Sequence, residues 1–179
     1  GAHIAFAPLD PLEVRVHDVL RERFGRVSVE RVVSGPGMRA IWRALGGASG
    51  FSDQQLWQAA LDGRDPMAAE ALACFIRCFG AAAGDLALAH GSQALVLAGG
   101  LGLRIADRLA GPDFAGRFMD KGRYRARMEA LPVKLLTLPQ PGLLGAALAF
   151  AAEAGALKKG LAPGVEERGP IQGVFGSGG

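Results

Sequence analysis

Cysteine is scarce in this sequence, with two residues, Cys74 and Cys78, among 179. They lie one helical turn apart with no histidine nearby, so they neither staple a fold nor make a metal site. Small buried apolar side chains in a reducing, cytoplasmic environment are expected instead. Excess charge is also missing. Twenty basic side chains against 17 acidic ones leave a formal charge of +3, too small and too dispersed to argue for nucleic acid as a partner. The long uncharged run of residues 86–103 is broken by His90, Gln93 and several glycines, so no membrane span is expected there. The first residues show no basic-then-apolar secretion signal. No internal repeat is present. The 27 glycines follow no three-residue period and read as turns, helix ends and close backbone approaches.

What is present is apolar and periodic. Half of the residues are hydrophobic, enough for a compact domain with a real core. Residues 3–6 read as the end of a short strand. Asp10-Pro11 then opens a helix, with Asp10 as cap, Pro11 where a missing N–H costs nothing and Glu13 completing a capping-box pattern. Leu12, Val16, Val19, Leu20 and Phe24 form its apolar stripe, and Gly25 ends it. Ser34-Gly35-Pro36-Gly37 is a turn leading into a helix from about Met38 to Leu45. Ser52 with Gln55 repeats the capping box for a helix over residues 54–61. Asp65-Pro66 opens a long helix reaching about His90, in which Gly80 and Gly84 are tolerable if neighbours pack closely.

Residues 94–98 and 131–138 read as strands buried on both faces. Short helices are expected near 103–109 and across 113–130, and a final alanine-rich helix over 142–157. Helices, strand, helices, strand, helix is the order of an α/β fold with parallel strands and helical crossovers. The result is a helix-rich chain with a small parallel sheet. From residue 160 to 179 the sequence is Gly- and Pro-rich without an apolar face and is expected to be a flexible tail.

Five collinear segments resemble the bacterial glucokinase family. They are GAHIAFAP from Gly1, SVERVVSGPGMRAIWRAL from Ser28, LVLAGGL from Leu95, FMDKGRYRARM from Phe118 and PQPGLLGAAL from Pro139. The match runs over residues 1–159. The resemblance implies a partial ribonuclease-H-like domain of the actin-like ATPase fold, corresponding to the C-terminal half of the family protein. It implies ATP-dependent phosphorylation of glucose to glucose 6-phosphate, with Mg²⁺, and a homodimer or the N-terminal half as partner. His3 occupies the histidine of a GGH motif, here GAH, and would bond a sugar hydroxyl. Glu30, opening ERVVSGPG, would accept from two sugar hydroxyls, a role a carboxylate beside a glycine-rich turn is suited to. Gly99 and Gly100 would let adenosine lie against bare backbone at the carboxyl end of a strand.

The family's DGGTN and GTGLG phosphate loops and its proton-accepting aspartate have no counterpart among these motifs. The chain alone is therefore expected to be inactive, with no catalytic residue and no metal ligand assigned to it. Arg117, Lys121, Arg123, Arg125 and Arg127 read either as a cluster steering ATP phosphates or as a solvated helix face. A second functional reading is a non-catalytic interaction or regulatory module derived from a sugar kinase. A relation to the zinc-containing sugar-kinase group fits less well, because its CxCGxxGC cluster is absent.

Overall fold

A computed structural model describes residues 3–48, 50–138 and 140–153. Helix α1 (Pro11–Phe24) starts at Asp10, whose carboxylate accepts from the Glu13 backbone N–H, and ends at Gly25 with φ +71°. The capping box is only half formed. The Glu13 carboxylate accepts instead from the Leu9 N–H at 2.7 Å and turns inward to full burial. Val16 and Leu20 are buried as the stripe requires, whereas Val19 faces solvent.

Helices α2 (Val29–Val32), α3 (Gly35–Ala44) and α4 (Asp53–Leu61) follow. The third starts at Gly35, three residues earlier than its sequence suggests, because Ser34 caps it and Pro36 sits in its first turn. The Ser52–Gln55 capping box of α4 is complete on both sides.

The core is organised around α5 (Pro66–Ala89). Its most extensive partner is α8 (Pro112–Met119), with α4 and α3 against other faces. Gly80 and Gly84 explain the closeness. A Cβ at Gly80 would lie 2.4 Å from the Phe114 carbonyl oxygen, and one at Gly84 would lie 2.5 Å from that of Phe118. The seam is aromatic: Phe79 meets Phe114 edge-on at 5.7 Å, and Phe114 stacks on Phe118 at 5.8 Å. Cys74 and Cys78 are buried in this helix, as expected of apolar cysteines. By length and hydropathy α5 also qualifies as a membrane span, but 67% of the qualifying window is buried inside the fold.

Strands β1 (Leu95–Leu97) and β2 (Val133–Leu135) pair in parallel, with Val96 opposite Lys134. Between them run α6 (Gly100–Arg104), α7 (Ala106–Leu109), α8, a 3-10 turn (Gly122–Tyr124) and α9 (Arg125–Glu129). This is the helical crossover that parallel strands demand. The strands are shorter than their apolar runs, and they are not buried on both faces. Leu97 and Val133 point into the core, while Val96 is 58% exposed and Lys134 is exposed beside it. Helix α10 (Pro141–Glu153) closes the described chain with Leu143 and Phe150 exposed. The tail 160–179 lies outside the described residues.

Candidate functional site

The segment before α1 does not form a strand. It makes one antiparallel bridge, Ala5 with Ser28. The Phe6 N–H donates to the Val27 carbonyl at 3.0 Å, and the Val29 N–H donates to that of Ile4 at 2.9 Å. This bridge carries His3 to the start of α2, where its Nε2 lies 3.4 Å from Glu30 Oε2. Both side chains are open to solvent, at 86% and 53% exposure. Glu30 is thus paired with His3 rather than with Arg26 or Arg31.

Helix α2 is a single turn and needs external support to aim Glu30. The Ser34-Gly35-Pro36-Gly37 segment provides it. A Cβ on Gly37 would lie 1.9 Å from the Val32 carbonyl oxygen, so only glycine lets α3 press its first turn against the end of α2. Ser34 Oγ accepts from the Gly37 N–H at 3.2 Å and fixes that turn.

His3 and Glu30 line a cleft of about 730 Å³ with a partly apolar wall of Leu20, Phe24, Pro36 and Ala40. Such a volume suits a small ligand. Arg23, Arg26, Arg31 and Ser28 also line it. These four carry no assignment from the sequence, although two of the arginines flank Gly25, the residue that ends α1.

Gly99 and Gly100 sit elsewhere, at the carboxyl end of β1. Gly99 has φ +99°, a conformation that side-chain-bearing residues rarely adopt. A Cβ on either glycine would meet nothing within 4 Å. The backbone here is therefore an open ledge, not a packed turn. A second cleft, of about 520 Å³, is lined by Arg104 at the end of α6 together with Pro36, Asp53 and Trp57. The structure thus joins His3 to Glu30 and keeps Gly99-Gly100 apart from them, with Pro36 lining both clefts.

The basic cluster near residue 120 divides. Arg117 donates to Asp10 at 2.6 Å and to Glu13 at 3.0 Å, and Lys121 reaches Asp85 at 2.8 Å and the Ala81 carbonyl at 3.2 Å. These two are largely buried struts between helices. Arg123, Arg125 and Arg127 are exposed and form a solvated face, with Arg125 paired to Glu129. Within the strut, burial raises the Glu13 carboxyl above its ordinary range, reinforced by the Asp10 charge and opposed by the Leu9 N–H and Arg117. Burial also pushes Asp10 up, but the Glu13 N–H and the guanidiniums of Arg77 and Arg117 outweigh it and leave that carboxyl low.

Residues 1–153 match the family model described as glucokinase. The chain belongs to the glucokinase family. A glucokinase of Zymomonas mobilis is 53% identical over 156 residues, which are 84% of this chain and 48% of that protein. One of Xanthomonas campestris is 40% identical over 159 residues, 86% of this chain and 47% of that protein. The crystal structure of a glucokinase from an Antarctic psychrotroph superimposes with a TM-score of 0.76 at 32% identity, covering 85% of this chain and 49% of that one. The chain spans about half the length of the glucokinases it matches. The described fold, helix-rich with a small parallel sheet, superimposes on about half of that glucokinase structure.

Proposed function

We propose that this chain supplies the sugar-recognising and adenosine-recognising half of an ATP:glucose 6-phosphotransferase. The observation that carries the reading is the His3–Glu30 pair at 3.4 Å, lining a cleft of about 730 Å³ with room for a monosaccharide. A carboxylate accepts from vicinal hydroxyls through its two oxygens, and an adjacent imidazole either donates or accepts according to its tautomer. The pair thus suits a polyol. The open ledge at Gly99-Gly100 suits a flat base and ribose, because no side chain keeps them off the backbone.

Phosphoryl transfer depends on positioning and charge neutralisation more than on covalent chemistry. When bound, ATP supplies the γ-phosphoryl group. Mg²⁺ is proposed to act with ATP, its protein environment belonging, in this reading, to the part of the enzyme outside these residues. The proton acceptor and phosphate loops of this reading lie outside the 179 residues, which by resemblance form the C-terminal half. A homodimer or the complementary half in the cytoplasm is the proposed context, and the exposed Val96, Leu143 and Phe150 support a need for cover.

Saturation-transfer NMR from the chain to glucose reads weak affinities directly. Transfer that disappears in Glu30→Ala is the expected result. No transfer from the unmodified chain, or undiminished transfer from the variant, contradicts the reading.

A further inference from the structure

The cleft that holds His3 and Glu30 carries more positive charge than a neutral sugar calls for. Arg23, Arg26 and Arg31 line it against the single carboxylate of Glu30, a surplus of two positive charges. None of the three arginines has a carboxylate partner among the described residues. Two of them meet the same aromatic ring. Arg23 and Arg31 lie over the same Phe24 ring, their guanidinium carbons 4.9 Å and 3.9 Å from its centre. Stacking uses the flat faces of the guanidiniums and leaves their N–H edges free. Two like charges held near one ring repel each other, and an anion bound nearby relieves that repulsion.

Ser28 is the independent sign of a ligand. Its residue is 7% exposed, and its side chain makes no capping bond to α2 and no other bond among the described residues. Its hydroxyl nonetheless is not one of the sealed, unpartnered polar atoms, of which Trp42 Nε1 is the one among the described residues. Ser28 therefore presents a free hydroxyl to the cleft it lines.

We propose that Ser28, Arg23, Arg26 and Arg31 form an anion site for a phosphate monoester, beside the His3–Glu30 pair. The surplus of two charges matches a phosphate dianion. Guanidinium forks and a hydroxyl together offer more donors than a carboxylate's two oxygens accept, and three phosphate oxygens accept more of them. A cleft of about 730 Å³ has room for a phosphorylated monosaccharide as well as for orthophosphate. The site rests on charge and geometry at this cleft and stands whether or not glucose itself is the neutral ligand.

The test is titration of the chain, by calorimetry and by phosphorus NMR, with orthophosphate, glucose 6-phosphate and glucose 1-phosphate at an ionic strength fixed with potassium chloride. Binding is expected, weakened at least about tenfold in Arg23→Gln/Arg31→Gln, as loss of charge-assisted hydrogen bonds requires. Arg31→Lys, which keeps the charge and loses the fork, is expected to weaken binding too. Arg15→Gln, an exposed arginine of α1 outside the cleft, is the control and leaves it unchanged. Equal affinity for orthophosphate and the sugar phosphates identifies free phosphate as the ligand, and tighter sugar phosphates identify the phosphosugar. Glu30→Gln separates this site from the sugar reading, because it removes a negative charge and leaves phosphate binding intact or tighter. Far-UV melting curves establish that each variant is folded, and Arg26→Gln, whose side chain makes no hydrogen bond, ion pair or ring contact among the described residues, gives a substitution at the least structural position. No binding by the folded chain, binding unaltered in the double variant, or an equal loss in Arg15→Gln overturns the proposal.

Discussion

His3 Nε2 lies 3.4 Å from Glu30 Oε2, and what brings them together is a single bridge between Ala5 and Ser28. Neither side chain is buried. The pair therefore adds little to stability, and its geometry is free to serve a ligand.

Glu30→Gln is accordingly expected to weaken glucose use by about 1.5–3 kcal/mol in kcat/KM in the enzyme completed by its other half, the range for a hydrogen bond to a charged group. Its unfolding midpoint in urea is expected to stay where it is. Steady-state kinetics and urea denaturation on the same preparation check both statements.

At Gly100 the fold and the proposed nucleotide site make opposite demands. A Cβ there meets nothing within 4 Å and begins α6, where alanine is the better helix former. Gly100→Ala is expected to leave stability unchanged or slightly raised, while weakening ATP through the methyl on the ledge. Nucleotide titration of the completed enzyme, paired with thermal melting, reads the two effects separately.

Gly80→Ala tests the packing of α5 on α8. The added methyl would fall 2.4 Å from the Phe114 carbonyl oxygen, a backbone atom that cannot swing away. Overpacking of this kind is expected to cost about 1–3 kcal/mol or more, despite the gain in helix propensity. Urea unfolding of the variant measures it.

The Asp10–Glu13–Arg117 strut has a pH signature with two opposite limbs. Glu13 is raised in the folded chain, so its contribution is fully present below the ordinary glutamate range and is lost as pH rises through its folded value. Asp10 is lowered, so its contribution is present above the ordinary aspartate range and is lost as pH falls through its folded value. Relative to Glu13→Gln, the unmodified chain is expected to lose stability as pH rises from about 4 toward neutrality, and relative to Asp10→Asn to lose it below about 4, the unperturbed carboxyl range. Chemical denaturation across pH 3–7 on the three proteins distinguishes the limbs.

Local signals were the most readable part of the sequence. Asp10, Ser52 and Asp65 all cap the helices they announce, because a side-chain oxygen and a following N–H are set by neighbouring residues alone. Gly80 and Gly84 were readable as close approaches, although only the packed α8 shows what approaches. Tertiary partners were not readable. Glu13 has the spacing of a capping-box glutamate, yet Arg117, distant in sequence, draws it into the core. Val96 sits in an apolar run that implies two covered faces, and one face stands open.

In the proposed site, motif resemblance names Glu30 and His3, and their contact depends on a bridge too short to register as a strand. Arg23, Arg26 and Ser28 gave no local sign, because a cleft between α1, α2 and α3 exists only once those helices pack. The basic residues near 120 divide for the same reason, since Arg117 and Lys121 are consumed as struts.

The central claim is that this chain holds recognition without the proton acceptor and phosphate loops. Loss of a general base alone removes about 10²–10⁴ in rate, and loss of the phosphate cradle compounds it. The most direct measurement couples glucose 6-phosphate formation to a dehydrogenase, with the purified chain alone and then mixed with the complementary half of a glucokinase. Silence alone and turnover on mixing, diminished by Glu30→Ala, is the expected result. Turnover by the chain alone that exceeds a buffer control and vanishes in Glu30→Ala contradicts the account.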